Sequence, residues 1–127
     1  MRQWFVRDGI SVVADTLETS LSYLEGIWHN EGPFHGVLGF SMGGCMTAIM
    51  AAMPSRFPGL KFVIIGGAPD LTLALQDMCG GGNIPHTVRS LHLIGLADNV
   101  IPPSLSKALA CRFHSPIVIE HEQVCAA

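Results

Sequence analysis

Apolar residues in this chain follow two different spacings. From Asp15 onward the spacing is helical. Leu17, Leu21, Leu24 and Trp28 recur at intervals of four, three and four, one stripe of a helix, with Glu25, His29 and Glu31 off the stripe. Asp15, followed three residues later by Glu18, predicts the start of this helix as a capping pair, and Gly32-Pro33 predicts its end. Elsewhere the apolar residues come in short runs. Gly36–Phe40, Leu60–Ile65, Leu91–Ile94 and Pro116–Ile119 predict four strands. Phe62–Ile65 is apolar throughout, as strands of a parallel sheet buried on both faces are. Between the runs, Gly43–Met53 reads as a helix stopped by Pro54, and Leu71–Met78 as a short helix. Ser104 predicts the cap of a third, ending near Cys111. Gly66–Pro69 breaks the second strand, and Cys79–Asn83 reads as a flexible loop. Strands alternating with helices predict an α/β protein with a parallel sheet of about four strands and flanking helices. No internal repeat, linker or low-complexity tract interrupts residues 1–127, which read as one domain.

Composition narrows the class. Of 127 residues, 49% are hydrophobic and 13% charged, which excludes a disordered chain. The net charge is −3, and the seven Lys and Arg are scattered between Arg2 and Arg112. With no basic stripe to neutralise phosphates, a dedicated nucleic-acid binder is excluded. Cys45, Cys79, Cys111 and Cys125 include no C-x-x-C pair, so reduced thiols are expected rather than a zinc or redox site. Arg7 and Asp8 interrupt any signal-peptide core at the N-terminus, and the expected location is cytoplasmic. The uncharged stretch Gly36–Met53 is long enough to raise the question of a membrane span. Its glycines, and its change of period at Ser41, predict a buried strand–turn–helix instead.

That change of period carries the chemistry. Gly39-Phe40-Ser41-Met42-Gly43 matches G-x-S-x-G directly between a predicted strand and a predicted helix, the setting of a nucleophile elbow. Such a serine occupies a strained turn that lifts its hydroxyl above the sheet edge, and the glycines on either side let strand and helix approach. The helix N-terminus favours developing negative charge, and the Met42 N–H would supply half of an oxyanion hole. An acid should come next in chain order. Asp98 fits, just past the Leu91–Ile94 strand, where parallel sheets form their sites. A loop aspartate that bonds its own backbone would look the same.

The segment Glu31-Gly32-Pro33-Phe34-His35-Gly36-Val37-Leu38-Gly39-Phe40-Ser41-Met42-Gly43-Gly44 resembles the FSH serine hydrolases of the α/β-hydrolase superfamily. These typically carry a GPFDGVLGFSQGA-like stretch. His35 stands here for the usual Asp, Met42 for Gln and Gly44 for Ala. Ser90–Gly95 with Asp98 and Pro102 resembles the family's SLHVIG..D..VP segment, and Ser106 with the Leu105–Phe113 helix fits the helix that succeeds it in the family. The resemblance runs from about Trp4 to Glu122. It implies a partial α/β-hydrolase fold and a hydrolase of small carboxylic esters or similar acyl substrates, using Ser, Asp and His with no metal and no organic cofactor.

The departures from the family pattern matter too. Family members carry their His in an H-x-G-G-H-like segment after the last strand, which Ile119-Glu120-His121-Glu122 begins. The chain then reads Gln123-Val124-Cys125-Ala126-Ala127, with Cys125 about where the His belongs. The family's first strand and H-G loop, source of the other oxyanion N–H, would lie before Met1. The resemblance thus implies a chain shortened at both ends. His121 is the nearest candidate for a substitute base, and a partly exposed histidine at the end of the last strand is the alternative reading. His86 and His92 are weaker candidates, His35 is expected away from the site, and His114 in a surface turn. Cys125 is a poor base, since a free thiol's pKa lies above neutrality. Losing a triad member leaves roughly 10³–10⁴-fold catalysis over water, so very weak turnover is expected. The competing expectation is a hydrolase remnant acting as an interaction module, self-associating through an exposed Val37–Phe40 sheet edge. The Gly80–Gly82 run lacks the G-K-[ST] ending of a phosphate loop.

Overall fold

The computed structural model describes residues 4, 7–8, 11–12, 14–71 and 84–122. Two short strands, β1 (Arg7–Asp8) and β2 (Ser11–Val12), pair antiparallel ahead of helix α1 (Ala14–Glu31). Next in the chain come β3 (Gly36–Phe40), α2 (Met42–Ala51), β4 (Phe62–Gly66), β5 (Arg89–Gly95), α3 (Pro103–Ala110) and β6 (Ile117–His121). Strands β3-β4-β5-β6 form one sheet in that order, all parallel, with helices packed against it. The expected fold class is therefore present, and β3 is an edge of this sheet.

Local boundaries differ from the sequence reading for identifiable reasons. Helix α1 starts at Ala14, so Asp15 lies inside its first turn and is not the cap. Helix α2 starts at Met42 and stops at Ala51, earlier than Met53. The N–H groups of Ala52 and Met53 bond to Ile49 O and Met50 O, tightening the final turn ahead of Pro54. Helix α3 is capped by Pro102, not Ser104, with Pro103 in the first turn. Proline's fixed φ suits that position, and its missing N–H is no loss there. Strand β4 starts two residues after Leu60, whose burial belongs to the core beside the sheet. The helix expected over Leu71–Met78 and the loop Cys79–Asn83 lie outside the described residues.

The core forms where α1 and α2 cover one face of the sheet. Leu17, Leu21 and Trp28 of the predicted stripe are buried with Cys45, Met46, Ile49, Phe57, Val63 and Ile65. Trp28 packs edge-on against Phe57 and donates its Nε1–H to Pro58 O at 2.8 Å. Arg56 ties α1 down from outside the core, donating to both Glu18 oxygens and to Glu25.

Register assigns every strand residue to a face. Gly39, Ile65 and His92 line up across β3, β4 and β5 on the helix side. A side chain on Gly39 would run into Gly43 O and Thr47 Oγ1 of α2, and His92 packs against Phe113, just past α3. On the other face, Leu38, Ile64, Leu91 and Ile117 form one row, and Phe40, Gly66, Leu93 and Ile119 the next. None of these eight residues faces a helix among the described residues. Leu38 is 60% exposed and Ile117 53%.

Candidate active site

Four parallel strands end at one edge of the sheet, and the candidate residues are distributed along it. Ser41 joins β3 to α2 with φ 52° and ψ −120°, a left-handed conformation that L residues other than glycine rarely adopt. Its own N–H donates to Gly66 O at 2.9 Å, which holds the turn to the end of β4. Its hydroxyl makes no side-chain cap bond to α2, and the residue is exposed. The first intrahelical bond runs from Cys45 N–H to Ser41 O. The N–H groups of Met42, Gly43 and Gly44 therefore have no acceptor within the helix, at its positive end.

Packing explains the glycines, with one correction. Gly39 is closed to any side chain by the first turn of α2, as expected. Gly43 is not similarly crowded, since a Cβ there would only touch Trp4 Nε1 at 3.5 Å. The tight position is Gly44, where a Cβ would lie 2.7 Å from the Ala68 Cβ and 3.0 Å from Ile65 Cγ2. The close approach of helix to sheet thus falls one residue later than the motif suggests. Thr47 supports the same turn by donating its hydroxyl to Gly43 O at 2.8 Å. An apolar groove of about 540 Å³ opens beside Phe40 and Gly43, walled by Trp4, Trp28, Phe34 and Met46.

Asp98 is buried in the turn after β5. Its Oδ1 accepts the N–H groups of Val100 and Ile101, each at 2.9 Å, so the carboxylate closes its own loop. Both of those bonds fall on Oδ1, and a carboxylate oxygen such as Oδ2 has acceptor sites of its own. His121 ends β6, half-buried and level with Gly95, and its carbonyl accepts the Leu96 N–H at 2.7 Å. Asp98 and His121 thus belong to adjacent strand ends. Ser41 stands at the end of β3, two strands from β5 and three from β6 in the same sheet.

The remaining histidines lie elsewhere. His92 is buried in β5, and burial pushes its pKa from 6.5 down to about 4. His35 precedes β3, and its carbonyl accepts the N–H groups of Lys61 and Phe62, at the far end of the sheet from Ser41. His86 and His114 stack with ring centres 3.4 Å apart ahead of β5 and β6, also at the far end. They line a separate cavity of about 740 Å³ with Cys111 and Arg112. Cys125 lies outside the described residues. Among the described residues, no group of three or more His, Cys, Asp or Glu could hold a metal ion, and no helix is long and apolar enough to cross a membrane. Sequence reasoning missed the roles of Gly44 and Gly66. A small residue after the elbow and a glycine ending the next strand were the available signals.

The chain has relatives among known proteins. The family model described as serine hydrolase (FSH1) matches residues 1–124. Esterase OVCA2 of Bos taurus is 34% identical over 110 residues, covering 83% of this chain and 48% of the relative. Esterase OVCA2 of Xenopus tropicalis is 32% identical over 117 residues, covering 89% and 46%. The chain spans about half the length of these curated relatives. Among solved structures, acyl-protein thioesterase 2 of Zea mays superposes with a TM-score of 0.66 at 15% identity, over 97% of this chain and 66% of that one. At that identity the likeness speaks for the fold, an α/β-hydrolase sheet. The match over nearly the whole chain is decisive: this chain belongs to the FSH1 serine hydrolase family.

Proposed function

We propose that the chain carries the nucleophile half of an esterase site, with Ser41 as the nucleophile. The observation that carries this reading is the strained backbone of Ser41, between the end of β3 and the free N-terminus of α2. Strain of that kind persists only where the surroundings enforce it, and it clusters at functional sites. Its hydroxyl is not committed to capping the helix.

In the proposed reaction, Ser41 Oγ attacks the carbonyl carbon of a small apolar ester. The carbonyl oxygen becomes an oxyanion and takes the Met42 N–H. The tetrahedral species collapses, the alcohol leaves with a proton, and water later hydrolyses the acyl-serine. The apolar groove beside Phe40 and Gly43 suits an aliphatic acyl group. Asp98 is the proposed acid and His121 the proposed base. His121 would take the Ser41 Oγ proton and pass it to the leaving alcohol. Cys125 stands about where the family carries its His, so turnover should be very low.

A fluorophosphonate probe tests this reading. Slow labelling that Ser41→Ala abolishes supports it, and a folded wild-type protein left unlabelled overturns it. A second reading, a remnant that acts through interaction alone, is favoured by the uncovered apolar sheet face.

A further inference from the structure

The uncovered face of the sheet is the largest feature the proposed chemistry does not use. Parallel sheets are ordinarily covered on both faces, because their strands are apolar on both. Among the described residues the helices cover one face only, and the other carries the two apolar rows of Leu38, Ile64, Leu91, Ile117 and Phe40, Gly66, Leu93, Ile119. The face is smooth. The Phe62 ring lies over Gly36 and the Phe40 ring over Gly66, where a side chain on either glycine would collide with them. Toward the amino end a hollow of about 340 Å³ opens among Phe62, Ile64, Leu91, Ile117 and Arg89.

We infer that a second copy of this chain covers this face, giving a dimer with the two sheets stacked face to face and the helices outside. Area supports that occupant. Leu38, Phe40, Phe62, Ile117 and Ile119 are each between 45% and 60% exposed. At roughly 200 Å² per large apolar side chain they offer about 500 Å² per copy. Two copies would bury about 1,000 Å², the size at which specific interfaces begin.

Charge selects the orientation. Exposed Lys61 and Arg89 flank the amino end of the face, and exposed Glu122 lies just past β6 at its carboxyl end. A two-fold axis that reverses strand direction sets the basic rim of one copy against Glu122 of the other. It also sets Leu93 and Ile119 over the other copy's hollow. The contact is isologous, so it closes at two copies. It is distinct from pairing along the β3 edge, because it uses β4, β5 and β6 as well. It is also independent of Ser41 chemistry, so labelling by a fluorophosphonate leaves it untouched.

Sedimentation equilibrium of the purified chain, up to roughly 100 µM, reads the outcome directly. That range lies well above a micromolar Kd, the weak end for interfaces near this size. The expected species is a reversible dimer of twice 13.6 kDa. Ile117→Lys and Ile119→Lys should each weaken it at least tenfold. Tyr23→Lys, at an exposed apolar position on α1 away from this face, should leave it unchanged. A monomer throughout overturns the inference. So does a dimer that both β6 variants leave intact, which would assign association to the β3 edge or another surface. Open-ended growth past the dimer also overturns it.

Discussion

His92 sits in the middle of β5, 2% exposed and packed against Phe113, with no hydrogen-bond partner for Nε2 among the described residues. Protonation would place a charge in an apolar layer, and burial therefore depresses its pKa from 6.5 to about 4. Which state takes up the proton decides the sign. Above 6.5 both folded and unfolded chains hold a neutral imidazole. As pH falls from 6.5 toward 4, the unfolded chain binds a proton that the folded chain refuses. Stability then drops by up to about 1.4 kcal/mol per pH unit, roughly 3 kcal/mol in all. Glu18, held low chiefly by hydrogen bonds from Arg56, loses its contribution only below its unperturbed 4.5. The upper part of the window thus isolates the histidine. Urea midpoints should fall between pH 6.5 and 5 in the wild type, and should fall distinctly less in His92→Leu. Equal slopes in the two proteins would remove this histidine as the cause.

The loop from β5 to α3 shows how one side chain holds an element in place. Asp98 Oδ1 takes two consecutive backbone N–H groups just before Pro102 caps α3. Removing the acceptor in Asp98→Ala leaves both donors to water, at a cost of about 1–2 kcal/mol. Asp98→Asn keeps an acceptor oxygen and should recover most of that loss in thermal melts. If Asn is as damaging as Ala, the charge matters more than the turn. Elements differed in how well the sequence foretold them. The stripe of Leu17, Leu21 and Trp28 was legible because α1 buries one side only, and the strands because their runs are continuously apolar. Caps were less legible, because Pro102-Pro103 competes with Ser104 for the same helix start. The β1–β2 pair has two residues per strand, too few to show alternation. At the site, chain order foretold that Ser41 follows β3, that Asp98 follows β5 and that His121 ends β6. It could not foretell which strands lie side by side, because that depends on the order of strands in the sheet.

At the scale of the whole molecule, the core of the described residues is a two-layer arrangement of helices on one side of a four-stranded sheet. The low charge of the sequence has a structural counterpart in the second face, which is as apolar as an interior and lies at the surface. Leaving it in water forgoes stabilisation of about 25 cal/mol per Å² of apolar surface, so covering it should be coupled to folding itself. If two copies cover each other, the folded state is a dimer and the unfolded state two chains, and mass action makes stability depend on concentration. Each tenfold rise in protein concentration then adds about 1.4 kcal/mol per dimer. For a dimer of this size that raises Tm by roughly 3–5 °C. A calorimetric series across a hundredfold concentration range should show twice that rise for the wild type. Ile119→Lys should melt at one temperature throughout, below the wild type at the highest concentration. A wild-type Tm that ignores concentration would mean that the chain folds with its second face bare, its stability carried by the α1–α2 core alone.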